Sequence, residues 1–272
     1  MLINLRNAMM MEKRKPTARD YVQSGLVAMW DGIENAGWGR HVSELPIKFG
    51  YRNLVNLANP TVTYEGADYD FGLNVVNMSV EDDGLAWNST SAWAGWGYVF
   101  NNTQIDSTTA SSIISSVMPT VNGVQEMTTE LVCTCNAPLA TPELSILVAG
   151  HNERAIYSSY STSGNLTVRW SVGGALRYSV VQSPFETGSQ AITIVQTATE
   201  GRVYIDGQLV FTRTGACGSF YLNMFAFLRA NAIRSAYTPN GKFHTLRIYN
   251  RILTAAEIAA NNAIDKARFR LP

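Results

Sequence analysis

Aromatic and amide side chains cluster within one short stretch of this 272-residue sequence. An aromatic ring can stack on the apolar C–H face of a sugar ring, and neighbouring amides can hydrogen-bond to the sugar hydroxyls. The stretch therefore predicts a carbohydrate-binding surface. Tryptophans also bury large areas in β-rich cores, so core packing stays an open alternative. The residues concerned are Trp87, Trp93, Trp96, Tyr98, Asn101 and Asn102.

An acidic segment beside these aromatics carries oxygen ligands of the type that calcium prefers. Asp82, Asp83 and Asn88 lie in a loop-like context. Calcium binds carboxylate, amide and backbone carbonyl oxygens. We therefore expect no obligatory cofactor, and calcium at this segment is the one candidate. A solvated acidic turn without a metal is the alternative.

Patterns that indicate catalysis are weak. Glu65, Asp68 and Asp70 form the nearest carboxylate cluster, but a turn is expected there because Gly66 interrupts it. No Gly-x-Ser-x-Gly nucleophile turn and no Gly-rich phosphate loop occurs. None of the three histidines has a Cys or acidic residue at the spacing of a known catalytic or metal-binding motif. They are His41, His151 and His244. The sequence alone thus predicts a protein that is not an enzyme.

Charge and cysteine content restrict the partners further. The chain has 21 basic and 21 acidic residues, so nothing in its net charge favours nucleic acid. No run of about 18 apolar residues occurs, so membrane insertion is not expected.

Cys133 and Cys135 share one face of a predicted strand and are badly placed for a disulfide. With Cys217 they are predicted to be free thiols, as in a reducing compartment.

The elements that must position these residues are predominantly strands. Short β-branched and aromatic runs alternate with Gly, Pro, Asn and Ser clusters from about residue 60 onward. Asp206-Gly207 lies between two apolar runs and predicts a tight hairpin turn. Thr254 and Glu257 form a capping box, which predicts a helix running to about residue 267. The predicted class is all-β with one short C-terminal helix.

Three segments of the chain resemble one known family. Residues 241–258 read Gly-Lys-Phe-His-Thr-Leu-Arg-Ile-Tyr-Asn-Arg-Ile-Leu-Thr-Ala-Ala-Glu-Ile and are similar to the closing strand and helix of concanavalin A-like, laminin G-like domains. Residues 192–207 resemble the family's paired strands, and residues 24–37 resemble its opening in gut-bacterial and prophage proteins. The resemblance implies a jelly-roll sandwich of two antiparallel sheets over residues 25–272.

Two features of the family are missing from this sequence. Its usual Phe-Asp-Gly-x-Asp-Asp-Tyr segment is not recognisable, which leaves a calcium geometry of the family kind unsupported. Glycosidases that share the fold use a Glu-x-Asp-x-x-Glu strand, and this spacing is also absent. The resemblance therefore implies a recognition module, with no catalytic carboxylate pair identified.

The N-terminal 24 residues are basic and lack the apolar core of a signal peptide. We interpret residues 1–24 as an arm that anchors the domain to other virion proteins. The resulting hypothesis is a non-catalytic adhesion module on a bacteriophage virion surface, a fibre or capsid decoration that binds host glycans as a homo-oligomer. A bacterial cell-surface or secreted location is the alternative. The alternative functions are a purely structural decoration protein and a polysaccharide-degrading glycosidase.

Overall fold

Antiparallel strands and one C-terminal helix make up the described fold. The computed structural model describes residues 14–33, 49–52, 61–64, 66–70, 72–75, 79–87, 97–98, 126–135, 144–149, 156–160, 165–172, 175–184, 188–215, 225–230 and 241–272. Within these ranges a 3₁₀ turn (Ala18–Asp20) comes first and an α-helix, α1 (Ala255–Phe269), comes last. The strands between them are β1 (Leu26–Asp31), β2 (Phe49–Arg52), β3 (Thr61–Tyr64), β4 (Ala67–Asp70), β5 (Gly72–Val75), β6 (Ser79–Glu81), β7 (Gly84–Trp87), β8 (Gly97–Tyr98), β9 (Met127–Cys135), β10 (Leu144–Ala149), β11 (Ile156–Tyr160), β12 (Asn165–Val172), β13 (Ala175–Pro184), β14 (Gly188–Gln196), β15 (Glu200–Ile205), β16 (Gln208–Thr214), β17 (Phe225–Ala230) and β18 (Gly241–Tyr249).

Two large antiparallel sheets contain most of these strands. The first has eight strands in the order β16-β15-β14-β9-β18-β7-β6, with β1 also paired to β18. The second has five strands in the order β13-β12-β11-β10-β17. Smaller sheets join β2, β5 and β8, and β3 with β4. The predicted all-β class with a C-terminal helix is confirmed.

The hairpin between β15 and β16 has the predicted turn. Asp206 and Gly207 both adopt positive φ angles, 50° and 78°. This geometry matches the right-handed twist of the flanking strands. The Asp206 carboxylate also accepts a hydrogen bond from the backbone N–H of Ala191 at 2.9 Å, which ties the turn to β14. Asp206 is therefore a structural residue.

Helix α1 and the N-terminal segment cover one face of the eight-stranded sheet. Ala18, Tyr21, Tyr249 and Ile258 belong to one buried cluster on this face. The backbone N–H of Val22 donates to the side chain of a helix residue, Asn261, at 2.9 Å. Residues 18–22 thus belong to the folded unit, which begins before the predicted boundary at residue 25. Residues 1–13 lie outside the described part of the chain.

Helix α1 begins with the predicted capping box. The Thr254 hydroxyl accepts from the backbone N–H of Glu257 at 3.2 Å, and the Glu257 carboxylate accepts from the N–H of Thr254 at 2.9 Å. Hydrogen bonds from Arg251 and Thr254 lower the pKa of Glu257 to about 2. Glu257 therefore stays ionised in its cap well below neutral pH.

Removing the Thr254 cap should lower the free energy of unfolding by a modest amount. We expect Thr254→Ala to lower the free energy of unfolding by about 1 kcal/mol, because one helix N–H loses its partner. Urea denaturation followed by circular dichroism measures this. Thr214→Ala, at an exposed strand end, is the matched control and should change stability by less than about 0.5 kcal/mol. Equal losses in both variants would contradict a capping role.

Candidate functional site

The predicted aromatic platform is only partly within the described residues. Trp87 ends β7 in the eight-stranded sheet, and Tyr98 ends β8 in the three-stranded sheet. Strand pairing therefore does not bring these two residues together. Trp93, Trp96, Asn101 and Asn102 lie outside the described residues, so the glycan platform stays a prediction.

The acidic segment forms the turn between β6 and β7, which we call the carboxylate turn (Glu81–Asp83). Lys242 on β18 lies over it, with its Nζ atom 2.5 Å from Glu81 Oε2 and 2.7 Å from Asp83 Oδ1. Partial burial acts to lower the pKa of Lys242, but the hydrogen bonds to Asp83 and Glu81 outweigh it and the net shift is upward. One ammonium group thus binds two carboxylates and offsets one of their two negative charges.

The same turn contains two of the three predicted calcium ligands. Asp82 is exposed, Asp83 binds Lys242, and Asn88 lies outside the described residues. Among the residues that the structure describes, no group of three or more His, Cys, Asp or Glu side chains is placed to hold a metal. Calcium at this turn stays a prediction, and a cation there would compete with Lys242 for Asp83.

A cleft of about 610 Å³ opens beside the carboxylate turn. The turn supplies three carboxylates, and β18 and the C-terminal end of α1 supply three cations. Three of these groups, Glu81, Asp82 and Arg270, are exposed, whereas the Arg268 guanidinium is 2% exposed. The lining residues are Ile33, Glu81, Asp82, Asp83, Lys242, Arg268 and Arg270.

Most charges in this cleft are already paired. Arg268 donates to both carboxylate oxygens of Asp31, at 2.6 and 2.9 Å. Lys242 is held by the carboxylate turn. Within the described residues, Asp82 and Arg270 are the charged lining groups without a hydrogen bond or ion pair. A ligand in this cleft would therefore meet one uncommitted carboxylate and one uncommitted guanidinium.

A row of hydroxyls and one imidazole supports the carboxylate turn from the sheet. His244 Nδ1 lies 2.8 Å from the backbone oxygen of Asp83, and His244 Nε2 lies 2.7 Å from Thr134 Oγ1. Thr134 Oγ1 in turn lies 2.5 Å from Ser189 Oγ. Ser189, Thr134 and Lys242 are register partners on β14, β9 and β18. We call Ser189, Thr134 and His244 the hydroxyl–imidazole row.

The direction of each hydrogen bond in this row follows from its chemistry. Burial lowers the pKa of His244 although the hydrogen bond to Asp83 opposes the shift, so the ring is neutral at pH 7. A carbonyl oxygen only accepts, so Nδ1 carries the proton and donates to Asp83. Nε2 therefore accepts from Thr134, and Thr134 accepts from Ser189.

A buried ionic cluster lies beneath α1, separate from the cleft. Arg247 on β18 is 1% exposed and donates to Glu130 Oε2 at 2.7 Å. It also makes two hydrogen bonds to the Asp265 carboxylate, at 2.7 and 2.6 Å. The Tyr21 hydroxyl donates to Asp265 at 2.7 Å, and the Arg247 guanidinium lies 3.9 Å from the centre of the Tyr21 ring.

The cluster is too enclosed to bind a ligand. Glu130, Arg247 and Asp265 are all at most 3% exposed. Burial raises the pKa of Glu130 although Arg247 opposes the shift. Burial acts to lower the pKa of Arg247, but Asp265 and Glu130 outweigh it and the net shift is strongly upward. These groups hold α1 to the sheet and are not candidates for substrate contact.

Other predicted chemistry falls outside the cleft. Asp68 and Asp70 lie two residues apart on β4, and the turn is confined to the residues before it, where Gly66 has a φ of 79°. The backbone at both residues is extended, contrary to the expected turn. The buried Cys133 is not in a disulfide, and Cys217 lies outside the described residues. Within the described part of the chain, no helix is long and apolar enough to cross a membrane.

Solved structures with a similar fold include enzymes. A mutant Trypanosoma rangeli sialidase that displays trans-sialidase activity matches with a TM-score of 0.55 and 16% identity, over 89% of this chain and 33% of the sialidase. The Trypanosoma rangeli sialidase in complex with 2,3-difluorosialic acid matches with a TM-score of 0.55 and 17% identity, over 93% of this chain and 33% of the sialidase. This chain thus spans about a third of the length of these sialidases.

A second group of similar structures contains toxin binding domains. The binding domain of botulinum neurotoxin serotype D/C matches with a TM-score of 0.55 and 9% identity, over 88% of this chain and 52% of the toxin domain. No protein with a curated function matches the chain in sequence.

These findings correct two predictions. The sequence predicted a non-catalytic adhesion module on a bacteriophage virion, and a protein that is not an enzyme. The similar structures are instead sialidases, which are glycosidases, and toxin binding domains. They favour the glycosidase alternative over phage adhesion, and both predictions are therefore wrong.

The family assignment rests on a separate sequence match. The model of the Laminin_G_3 family, described as concanavalin A-like lectin/glucanases, matches residues 106–259. This span includes β9 through β18 and the first turn of α1, which contain the hydroxyl–imidazole row and Lys242. Since the match extends over more than half of the sequence, the chain belongs to the concanavalin A-like lectin/glucanase superfamily.

Proposed function

We propose that this chain acts on glycans as the laminin G-like β-sandwich of a sialidase-like glycosidase, and that its cleft engages an acidic sugar. The observation that carries the proposal is the pairing pattern of the cleft. Asp82 and Arg270 are uncommitted, while the groups around them are held in fixed ion pairs. Similar solved structures are complexes with sialic acid or its 2,3-difluoro derivative, and sialic acid is the first sugar to test.

The chemistry of an acidic sugar matches these two groups. Arg270 can bind a sugar carboxylate in the two-hydrogen-bond geometry that guanidinium groups favour. Asp82 can accept hydrogen bonds from sugar hydroxyls. A neutral sugar would use Asp82 but would leave Arg270 without a partner.

The carboxylate turn also has the two carboxyl groups that most retaining glycosidases use, about 5–5.5 Å apart. Sialidases differ, because their nucleophile is a tyrosine, so the turn fits the general two-carboxylate mechanism and not the sialidase one. Glu81 and Asp83 contact the same Nζ atom at 2.5 and 2.7 Å, so these oxygens lie within that separation. Hydrolysis at this turn would require Lys242 to move away, because it occupies the space between them.

Binding to 3′-sialyllactose by isothermal titration calorimetry tests the proposal. We expect the full chain to bind it and to bind lactose at least about tenfold more weakly, since lactose lacks the carboxylate. Asp82→Asn and Arg270→Gln should each weaken binding about tenfold. Release of sialic acid from the same sugar measures cleavage.

Glu126→Gln is the matched control, because Glu126 is exposed at the start of β9 and outside the lining of the cleft. It should leave the dissociation constant unchanged. Absence of binding to 3′-sialyllactose, or equal binding by Asp82→Asn and wild type, would reject the cleft as the site. Binding without release of sialic acid would reject the glycosidase part of the proposal.

A further inference from the structure

The carboxylate turn is held in place from two sides. On one side, β18 contributes Lys242 to the Glu81 and Asp83 side chains and His244 to the Asp83 backbone oxygen. On the other side, the end of β1 presses against the turn. A Cβ atom built on Gly32 would lie 2.5 Å from the Gly84 Cα atom, so the two backbones are in close contact.

Gly84, the first residue after the turn, lies in close contact with the backbone of β18. A Cβ atom built on it would lie 2.3 Å from the carbonyl oxygen of Phe243, which is a backbone atom and cannot rotate away. The turn is therefore pressed onto β18 at the residue preceding His244. Asp82, at the tip of the turn, is the uncommitted group that this packing presents to the cleft.

We infer that His244 is a positioning residue, which fixes the carboxylate turn so that Asp82 is in place before a glycan arrives. The hydroxyl–imidazole row sets the orientation of its ring. Ser189 donates to Thr134 and Thr134 donates to Nε2, which leaves Nδ1–H to donate to the turn. The Phe269 ring, with its centre 5.1 Å from that of His244, packs against the imidazole from α1.

The role follows from the burial and the location of His244. Its ring is 3% exposed and does not line the cleft, so it does not contact a ligand there. Its effect on binding must pass through the Asp83 backbone. A mobile turn must become ordered when a ligand binds, which weakens binding. A turn that is already ordered avoids this free-energy cost. His244 thus determines affinity without touching the sugar, and this part of the inference rests on the proposed function.

Two substitutions distinguish the hydrogen bond made by Nδ1 of His244 from the one made by Nε2. In His244→Asn the side-chain NH₂ occupies roughly the position of Nδ1 and can still donate to the Asp83 oxygen, while the hydroxyl row is broken. In His244→Ala both contacts are lost. We expect His244→Ala to accelerate amide hydrogen exchange at Asp83 and Gly84 at least about tenfold, and His244→Asn to restore most of the protection.

The same variants are measured for binding to 3′-sialyllactose. His244→Ala should raise the dissociation constant about tenfold, and His244→Asn should stay within about threefold of wild type. Exchange in the Asp206–Gly207 turn of the distant hairpin is the internal control and should not change. The ¹⁵N shifts of His244 in the wild-type protein should identify the Nδ1–H tautomer.

Each outcome decides the inference. Unchanged exchange at Asp83 and Gly84 in His244→Ala, or an Nε2–H tautomer in the wild type, overturns the positioning role. Faster exchange with an unchanged dissociation constant overturns its effect on affinity. If the wild type binds no 3′-sialyllactose, the proposed function fails. The exchange and tautomer measurements then still decide whether His244 positions the turn. If His244→Ala does not fold, Thr134→Val, which removes the hydroxyl that donates to Nε2 and accepts from Ser189, should produce faster exchange at Asp83 and Gly84.

Discussion

Asp265→Asn should be among the most destabilising single substitutions in the described part of this protein. Asparagine keeps the shape of the side chain but removes the negative charge that faces the two Arg247 nitrogens. Breaking a buried ion pair by neutralising one partner costs about 3–5 kcal/mol, because the remaining charge is left uncompensated. Urea denaturation at pH 7 measures the change in the free energy of unfolding.

A surface pair provides the matched control for this result. Glu200 also pairs with an arginine, Arg202, but both side chains are about one-third exposed. Glu200→Gln should therefore cost between about 0 and 1 kcal/mol. Replacing the whole cluster, as in Glu130→Gln/Arg247→Met/Asp265→Leu, should recover much of the loss. A cost below about 1 kcal/mol for Asp265→Asn would show that the cluster does not hold α1 to the sheet.

Tyr21→Ala, near the other end of the chain, should lower the free energy of unfolding by a similar amount. Tyr21 is 2% exposed, packs in a buried cluster with Leu253 and Ile258, and lies against the Arg247 guanidinium. Removing a buried aromatic side chain costs about 3–5 kcal/mol, because burial is lost and a cavity remains. Deleting residues 1–23 should therefore destabilise the domain at least as much.

Two milder substitutions make this prediction specific. Tyr21→Phe keeps the ring and removes the hydroxyl that bonds to Asp265, so it should cost about 1–3 kcal/mol. Arg19→Ala, at an exposed neighbouring position, should change stability by less than about 0.5 kcal/mol. All variants are compared by thermal and urea unfolding. Near-wild-type stability of Tyr21→Ala would mean that residues 18–22 are not part of the folded unit.

The fold was predictable where local chemistry decides the structure. Asp206-Gly207 imposes positive φ angles, and Thr254 with Glu257 caps a helix, so the hairpin and α1 follow from a few neighbouring residues. Most strands of the two large sheets also follow from runs of β-branched and aromatic residues. The N-terminal boundary was not predictable, because a basic, Pro-containing segment does not reveal that Tyr21 contacts a helix near the other end of the chain.

The cleft was predictable only in part. Asp82 and Asp83 were singled out as polar residues in a turn, but their cationic neighbour comes from β18, 159 residues further along the chain. One signal could have found it. Lys242 and His244 are two residues apart on a predicted strand, so side-chain alternation predicts that both lie on one face of the sheet, where they can reach a turn at the end of a neighbouring strand. The identity of that strand depends on long-range pairing, which no local pattern encodes.

The hydrogen bond between Tyr21 and Asp265 joins residues 244 positions apart, and the ion pair between Asp31 and Arg268 spans 237. The outer face of the large sheet therefore stays uncovered during synthesis until the segment that contains Asp265 and Arg268 has left the ribosome. Until then Glu130 and Arg247 lack the helix that completes their surroundings. Folding of this domain on the ribosome must consequently be completed late, and a growing chain exposes a face that a chaperone could bind.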